Sequence, residues 1–295
     1  MSKIKWGREI ECFSDLDIKI CYDSLSRKGL DNVMPIFYEE QVITWKLLGD
    51  TLINELIRGE NSGIDFLDVG TGSGFWSILL AKKLKQHKLS PKILAIDKVK
   101  RAVDFCKKNM KENDVNFDLE LQPYGLKTAP HKSVKVIFMN PPYHLYPPEI
   151  ESSIPHHARG GSLGWKEFQS WLNIADYHLS NNGSIFFHHM CLGNEQPEFL
   201  RFIPMFVSGH PSILYYEILP SITTLAFLKG VYDHEFAPFI YETCVRFSNV
   251  YFTSGIIIKD GKGRISKIKV SKNLLEGKTW QGRIALHKSI GVKQI

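Results

Sequence analysis

"FLDVGTGSGFWSILLAKKL", residues 66 to 84, opens as a buried strand, turns through three glycines and closes as a helix. Gly70, Gly72 and Gly74 let the backbone turn tightly and approach a ligand closely, with the N-terminus of the helix behind them. The G-x-G-x-G spacing departs from the dinucleotide pattern G-x-G-x-x-G, whose third glycine comes one residue later. Asp68, immediately before the turn, is a poor neighbour for a pyrophosphate and a good acceptor for an ammonium group.

The chain around this turn alternates regularly. Strands are expected at Ile64–Val69, Lys92–Ile96, Phe117–Leu121, Val134–Met139 and Ser184–His189, with helices at Gly74–Gln86, Lys98–Asn113 and Trp165–Leu179. A further helix is expected near Glu198–Phe206, then β-rich pieces at Ile213–Leu219 and Thr223–Leu228. Strands alternating with helices of this length predict an α/β, doubly wound, mostly parallel sheet with helices on both faces. Ligands bind such sheets outside the carboxyl ends of the strands, which selects the turns after Val69, Ile96 and Met139. The second of these closes "ILAID". A carboxylate there, Asp97, can accept both hydroxyls of a ribose. Ribose plus ammonium points to S-adenosyl-L-methionine as the cofactor.

The third turn lies in "VKVIFMNPPYHLYPP", 134 to 148, where an apolar strand runs into Asn140-Pro141-Pro142-Tyr143. Two prolines cannot continue a sheet ladder, because each lacks the N–H and fixes φ. Asn140 is therefore the last residue of the strand, followed by a rigid extended turn.

"LDVGTGSG", "AID" and "NPPY", in this order, resemble the signature of class I S-adenosylmethionine-dependent methyltransferases, and NPPY resembles the branch that methylates nitrogen. The resemblance covers about residues 35 to 230. It implies a Rossmann-like, seven-stranded, mostly parallel sheet whose last strand is antiparallel, with Ile213–Leu219 and Thr223–Leu228 as the closing pair. It implies a cofactor site of Asp68, Gly70, Gly72, Gly74, Asp97 and Asn140, and a catalytic set of Asn140, Pro141 and Tyr143. The nitrogens this branch methylates, a glutamine amide or the exocyclic amine of a base, are poor nucleophiles because their lone pairs are delocalised. The Asn140 oxygen and the Pro141 carbonyl can accept both protons of such an NH₂ group and favour the more tetrahedral nitrogen of the transition state. The prolines supply rigidity, and Tyr143 can stack on the planar acceptor.

"HARGGSLGWKEFQSWL", 157 to 172, resembles the A-x-G-G-x-x-G stretch of HemK/PrmC-type enzymes of the methyltransferase small domain group. Carried over, Gly160, Gly161 and Gly164 shape the loop beside the acceptor; the other reading is a flexible loop before a helix. Two features depart from that family: "VMPIFYEEQVITWKLL" (33 to 48) matches its preceding segment only loosely, and the last 60 or so residues have no counterpart in it. His144 after the tyrosine is closer to the NPPFH of ribosomal RNA enzymes.

The remaining features bound the answer. A chain of 295 residues, 43% hydrophobic, can bury a large core. Its balance of 37 Lys+Arg against 31 Asp+Glu, a net +6, is weaker than a dedicated nucleic-acid binder shows. No stretch approaches the ~18 apolar residues of a membrane span, and the first residues lack a secretory apolar core. Cys12, Cys21, Cys106, Cys191 and Cys244 are scattered without a C-x-x-C pair, which favours reduced thiols in a cytoplasmic protein. His156-His157 and His188-His189 come without a carboxylate cluster, so no metal is expected. "IIIKDGKGRISKIKV" (256 to 270) reads as a hairpin turning at Asp260-Gly261; the basic run 259 to 272 is either its solvated face or a nucleic-acid contact.

The resulting layout is a helical segment at 1–62, a methyltransferase core at 63–230 and a β-rich extension at 231–295. The expected activity is N-methylation of a protein or small-molecule acceptor. Methylation of a nucleic-acid base and a catalytically silent binding protein are the alternatives. The acceptor's identity and the oligomeric state lie beyond the sequence.

Overall fold

The computed structural model describes residues 9–27, 29–57, 63–270, 274 and 279–291. The chain divides into two compact units, Met1–Met139 with Tyr177–Gly183, and Asn140–Asp176 with Ser184–Ile295.

The first unit opens on an antiparallel hairpin of β1 (Ile10–Asp15) and β2 (Ile18–Asp23), an element the sequence reading did not anticipate in its helical segment. Leu16 and Asp17 make the turn with φ of 53° and 65°, so the left-handed positions carry neither the glycine nor the asparagine that usually signals one. Cys12 stands opposite Cys21 in this hairpin and the two form a disulfide, which corrects the expectation of reduced thiols at these positions. A wide helical turn, Tyr38–Val42, leads into α1 (Ile43–Ile57). The helical spacing of Val42, Trp45, Leu48, Leu52 and Leu56 predicts a helix from about Glu39 to Arg58, and Arg58 lies outside the described residues.

Then follow β3 (Ile64–Val69), α2 (Phe75–Gln86), β4 (Ile93–Asp97), α3 (Lys100–Glu112), β5 (Asp118–Leu121) and β6 (Val134–Met139). Their strands pair in parallel in the order β6-β3-β4-β5. This is the Rossmann-like, parallel α/β core anticipated above. Near-continuous apolar runs such as Phe66-Leu67 and Val136-Ile137-Phe138 suit strands covered on both faces. Trp76 of α2 stacks on Phe138 of β6 with centroids 4.0 Å apart and tilts against Trp45 of α1 at 5.7 Å, tying both helices to the sheet.

The hairpin is bound by side-chain amides acting as a neighbouring strand would. Asn109 of α3 accepts from the Cys21 N–H and donates to its carbonyl, both at 2.9 Å. One turn on, Asn113 does the same for Lys19 at 2.9 and 2.7 Å. The backbone groups on that edge of β2 are thereby satisfied without a third strand.

The second unit contains most of α4 (Lys166–His178) and β7 (Leu179–Gly193), then α5 (Phe199–Phe206), β8 (Ser212–Thr223), α6 (Thr224–Val231), α7 (Ala237–Arg246), β9 (Asn249–Ile258), β10 (Ile265–Lys269) and α8 (Trp280–Gly291). β9 lies antiparallel between β7 and β8, and β10 adds in parallel to the other edge of β8. Two expectations are corrected here. The segment expected as a strand, Thr223–Leu228, is mostly helix: the Thr223 hydroxyl caps α6 by accepting from the Ala226 N–H at 3.3 Å. The antiparallel closing partner of β8 is therefore β9. Nor do 256–270 form a hairpin: both edges of β9 are taken, so the returning chain finds its free edge on β8. With β10 the strands β3 to β10 number eight against the seven expected. Among the described residues, no helix is long and apolar enough to cross a membrane.

Candidate active site

The first unit supplies the glycine turn. Gly70, Gly72 and Gly74 have φ of 70°, 57° and 89°, a region that costs other residues strain. Nothing stands within 4 Å of where a Cβ on Gly72 would lie, so the crest of the turn is open. Gly74 is required for a different reason: a Cβ there would come within 2.6 Å of the Cys106 sulfur and 2.9 Å of Ile78. It lets α2 start tightly against α3. Asn109 reaches this turn as well, donating to the Ser73 carbonyl at 2.8 Å. It is a buried organiser that the sequence reading missed, because a mid-helix asparagine carries no local signal of its partners.

Asp68 is buried at 2% exposure, and its Oδ2 accepts from the hydroxyls of Thr71 (2.7 Å) and Ser77 (2.6 Å). Burial pushes its carboxyl up to about 6, with the two hydroxyls opposing. Its partners among the described residues are thus these hydroxyls and the Ser77 N–H, none of them a cation, leaving a buried charge poorly compensated. A cationic ligand fits that environment. Asp97 follows at the tip of β4. Its Oδ2 accepts from the Gly72 N–H at 2.9 Å and its Oδ1 from the Val99 N–H at 2.8 Å. Desolvation raises its carboxyl too, against those backbone donors. Each oxygen keeps lone-pair capacity, as an acceptor of ribose hydroxyls requires. The residues present fit the cofactor. Asp97→Ala should weaken S-adenosylmethionine binding by about 1.5–3 kcal/mol, the scale of losing charge-assisted hydrogen bonds, as calorimetric titration would measure.

The second unit opens on the Asn140-Pro141-Pro142-Tyr143 turn. The Oδ1 of Asn140 is buried and has no hydrogen-bond partner among the described residues. Pro141 is buried beside it, and Tyr143 is 4% exposed. The Tyr143 ring is enclosed by His188 (5.8 Å between centroids), His189 (6.2 Å), Phe252 (6.4 Å) and His287 (6.2 Å). Its hydroxyl accepts from Arg283 Nη2 at 2.7 Å. Tyr143, expected from the sequence to stack on the acceptor, is a buried ring anchored by a residue of the C-terminal extension. His144 lies against His287 at 3.8 Å.

Both histidines of the β7 pair are buried. His188 Nδ1 lies 2.9 Å from the Ser254 hydroxyl, while both ring nitrogens of His189 lack a partner. Burial holds His189 down to about 3, and burial followed by the Arg283 charge keeps His188 well below the usual imidazole range. These rings are neutral at physiological pH. Among the described residues, no group of three or more His, Cys, Asp or Glu could hold a metal.

Gly160 and Gly164 press against the acceptor loop. A Cβ on Gly160 would lie 2.5 Å from the Tyr143 carbonyl carbon and 2.7 Å from the His144 oxygen; one on Gly164 would lie 2.8 Å from the Tyr143 oxygen. Tyr146 N–H donates to the Gly161 carbonyl at 3.4 Å, so the two stretches run side by side. Gly160→Ala must displace backbone and should cost about 1–3 kcal/mol in chemical denaturation, the usual scale of overpacking.

Parts of the chain are similar to known methyltransferases. Residues 47–156 match the family model of the methyltransferase small domain. A release factor glutamine methyltransferase of Flavobacterium psychrophilum is 29% identical over 172 residues, 55% of this chain and 57% of that protein. A ribosomal protein L11 methyltransferase of Dictyoglomus thermophilum is 41% identical over 78 residues, 26% of this chain and 24% of that protein. The chain thus spans little more than half of the first relative's length and about a quarter of the second's. Among solved structures, a Listeria monocytogenes protein assigned to the class I S-adenosylmethionine-dependent methyltransferases superposes with a TM-score of 0.49 at 12% identity, over 87% of this chain and 74% of that one. Over residues 47–156 the chain is similar to the methyltransferase small domain. The glycine turn with Asp68 and Asp97 fits S-adenosyl-L-methionine as a cofactor.

Proposed function

We propose that the chain transfers a methyl group from S-adenosylmethionine to an amide or amine nitrogen of a protein or small-molecule acceptor. One observation carries this reading: the buried, unpartnered Oδ1 of Asn140 at the head of Asn-Pro-Pro-Tyr. A buried acceptor without a donor costs about 1–3 kcal/mol, and a substrate N–H would remove that cost.

When bound, the cofactor supplies an electrophilic methyl group on a sulfonium. Asp97 accepts the ribose hydroxyls, and Asp68 both braces the glycine turn and offsets positive charge. Asn140 Oδ1 and the Pro141 carbonyl accept the two N–H bonds of the acceptor and hold its lone pair toward the methyl group. A neutral acceptor suffices, because the nitrogen releases its proton during or after transfer. The fixed φ of Pro141 and Pro142 keeps the two acceptors at a constant spacing. Tyr143 anchors the end of the loop.

The names of the two relatives support a protein acceptor. The basic stretch offers weak support for nucleic acid, since three of its six cations are paired internally. Lys259 pairs with Asp176 at 2.6 Å, Arg264 with Asp260 at 3.7 Å, and Lys267 with Glu217. Phosphate contacts would have to compete with these pairs. To test the acceptor class, the protein is incubated with methyl-labelled cofactor and cell extract, and portions are treated with protease or nuclease. Label lost to protease, or dialysable from the start, is the expected result. Label lost only to nuclease would overturn the preference.

A further inference from the structure

We infer that Arg283, in the C-terminal extension, is a positioning residue of the acceptor site, acting on Asn140 through the Tyr143 hydroxyl. This rests on the N-methyltransferase reading above and gives the extension a part in it.

Arg283 is 2% exposed, so its donation to the Tyr143 oxygen at 2.7 Å is shielded from water. Its guanidinium lies over the Phe252 ring at 4.3 Å from the centroid. Phe252 sits in β9, directly opposite Met190 of β7. The arginine is therefore referenced to the sheet itself and not only to its own helix. Trp280 tethers the start of α8 by donating to the Pro220 carbonyl at 2.5 Å, and His287 braces the other side of the loop through His144.

Tyr143 is thus fixed at both ends, its ring against His188 and Phe252 and its hydroxyl at Arg283. Only Pro141 and Pro142 separate it from Asn140, and neither can rotate about φ. An anchored tyrosine on such a spacer fixes the asparagine, while a loosened one lets it drift. A drift of about 1 Å in a group that orients the reacting nitrogen can cost ~10² in rate. A neutral hydrogen-bonding partner would serve less well, because a hydrogen bond from a charged donor is roughly twice as strong.

The test uses the full chain with methyl-labelled S-adenosylmethionine and cell extract as the acceptor source, comparing Tyr143→Phe, Arg283→Met, their double variant and Arg283→Lys. Each of the first two should transfer label about tenfold to a hundredfold more slowly at saturating cofactor, and more extract should not restore the rate. Cofactor affinity by calorimetry should stay within about twofold of wild type, since neither side chain belongs to the glycine turn. The double variant should be no slower than the worse single variant, because both changes break one hydrogen bond. Arg283→Lys, which keeps a charged donor, should recover part of the rate. Tyr143→Phe removes a single oxygen and decides the matter alone if Arg283→Met does not fold. Wild-type rates in Tyr143→Phe, or losses that multiply in the double variant, would overturn the inference and leave the proposed function standing. A wild-type protein that binds the cofactor but labels nothing would remove both.

Discussion

Asn140→Ala should transfer methyl groups ~10²–10³ more slowly than wild type, the scale of removing one preorganised polar group that acts in the transition state. Its affinity for S-adenosylmethionine should change far less. The same variant should be as stable as wild type, or about 1 kcal/mol more so, because the deleted oxygen is buried without a partner. Loss of activity with unchanged or higher stability distinguishes a functional asparagine from a structural one. Asn140→Asp keeps an acceptor and should retain more activity than the alanine variant. Single-turnover rates beside chemical denaturation curves measure both halves. Wild-type turnover in Asn140→Ala would refute the role given to this residue.

The second large effect concerns Asp68 and pH. Its folded carboxyl titrates near 6 against an ordinary 3.8, because burial penalises the charged form. A raised pKa favours the protonated folded state. Its stabilising contribution is complete below about pH 4 and is lost as pH rises through 6, amounting to about 3 kcal/mol between the two limits. Asp68→Asn keeps an oxygen for Thr71 and Ser77 but cannot ionise. In the absence of cofactor it should be more stable than wild type at pH 8 by up to about 3 kcal/mol, and it should lack this step between pH 4 and 6. It should also bind S-adenosylmethionine more weakly, since the buried negative charge is what a cationic ligand offsets. Denaturation midpoints across that pH range, with and without cofactor, would show both effects. A variant less stable than wild type at pH 8 would contradict the account.

The core of the fold was legible because its signals are local. Ile64–Val69 and Val134–Met139 fall where the chain runs into glycines and prolines, whose special backbone freedom or rigidity can be read directly. The hairpin of β1 and β2 was not legible: its turn is made by Leu16-Asp17 and its edge is satisfied by Asn109 and Asn113, about ninety residues downstream. Thr223–Leu228 misled because Thr-Thr-Leu-Ala-Phe-Leu suits a strand and a buried helix equally, and the deciding contact is a single cap from Thr223. The candidate site divides in the same way. Asp68, Asp97 and Asn140 stand beside the breaks in pattern that revealed them, whereas Arg283 lies 140 residues from the tyrosine it holds. No local pattern marks a partner at that separation. The burial of Tyr143 follows from the same cause, since the C-terminal extension that covers it resembled nothing recognisable.

The central claim is that nitrogen receives the methyl group. Mass spectrometric fragmentation of the labelled product formed from methyl-labelled S-adenosylmethionine and cell extract tests it most directly. The account predicts one added methyl group on an amide or amine nitrogen, absent when Asn140→Ala replaces wild type. A methyl group located on carbon or oxygen, or formed equally by Asn140→Ala, would contradict it.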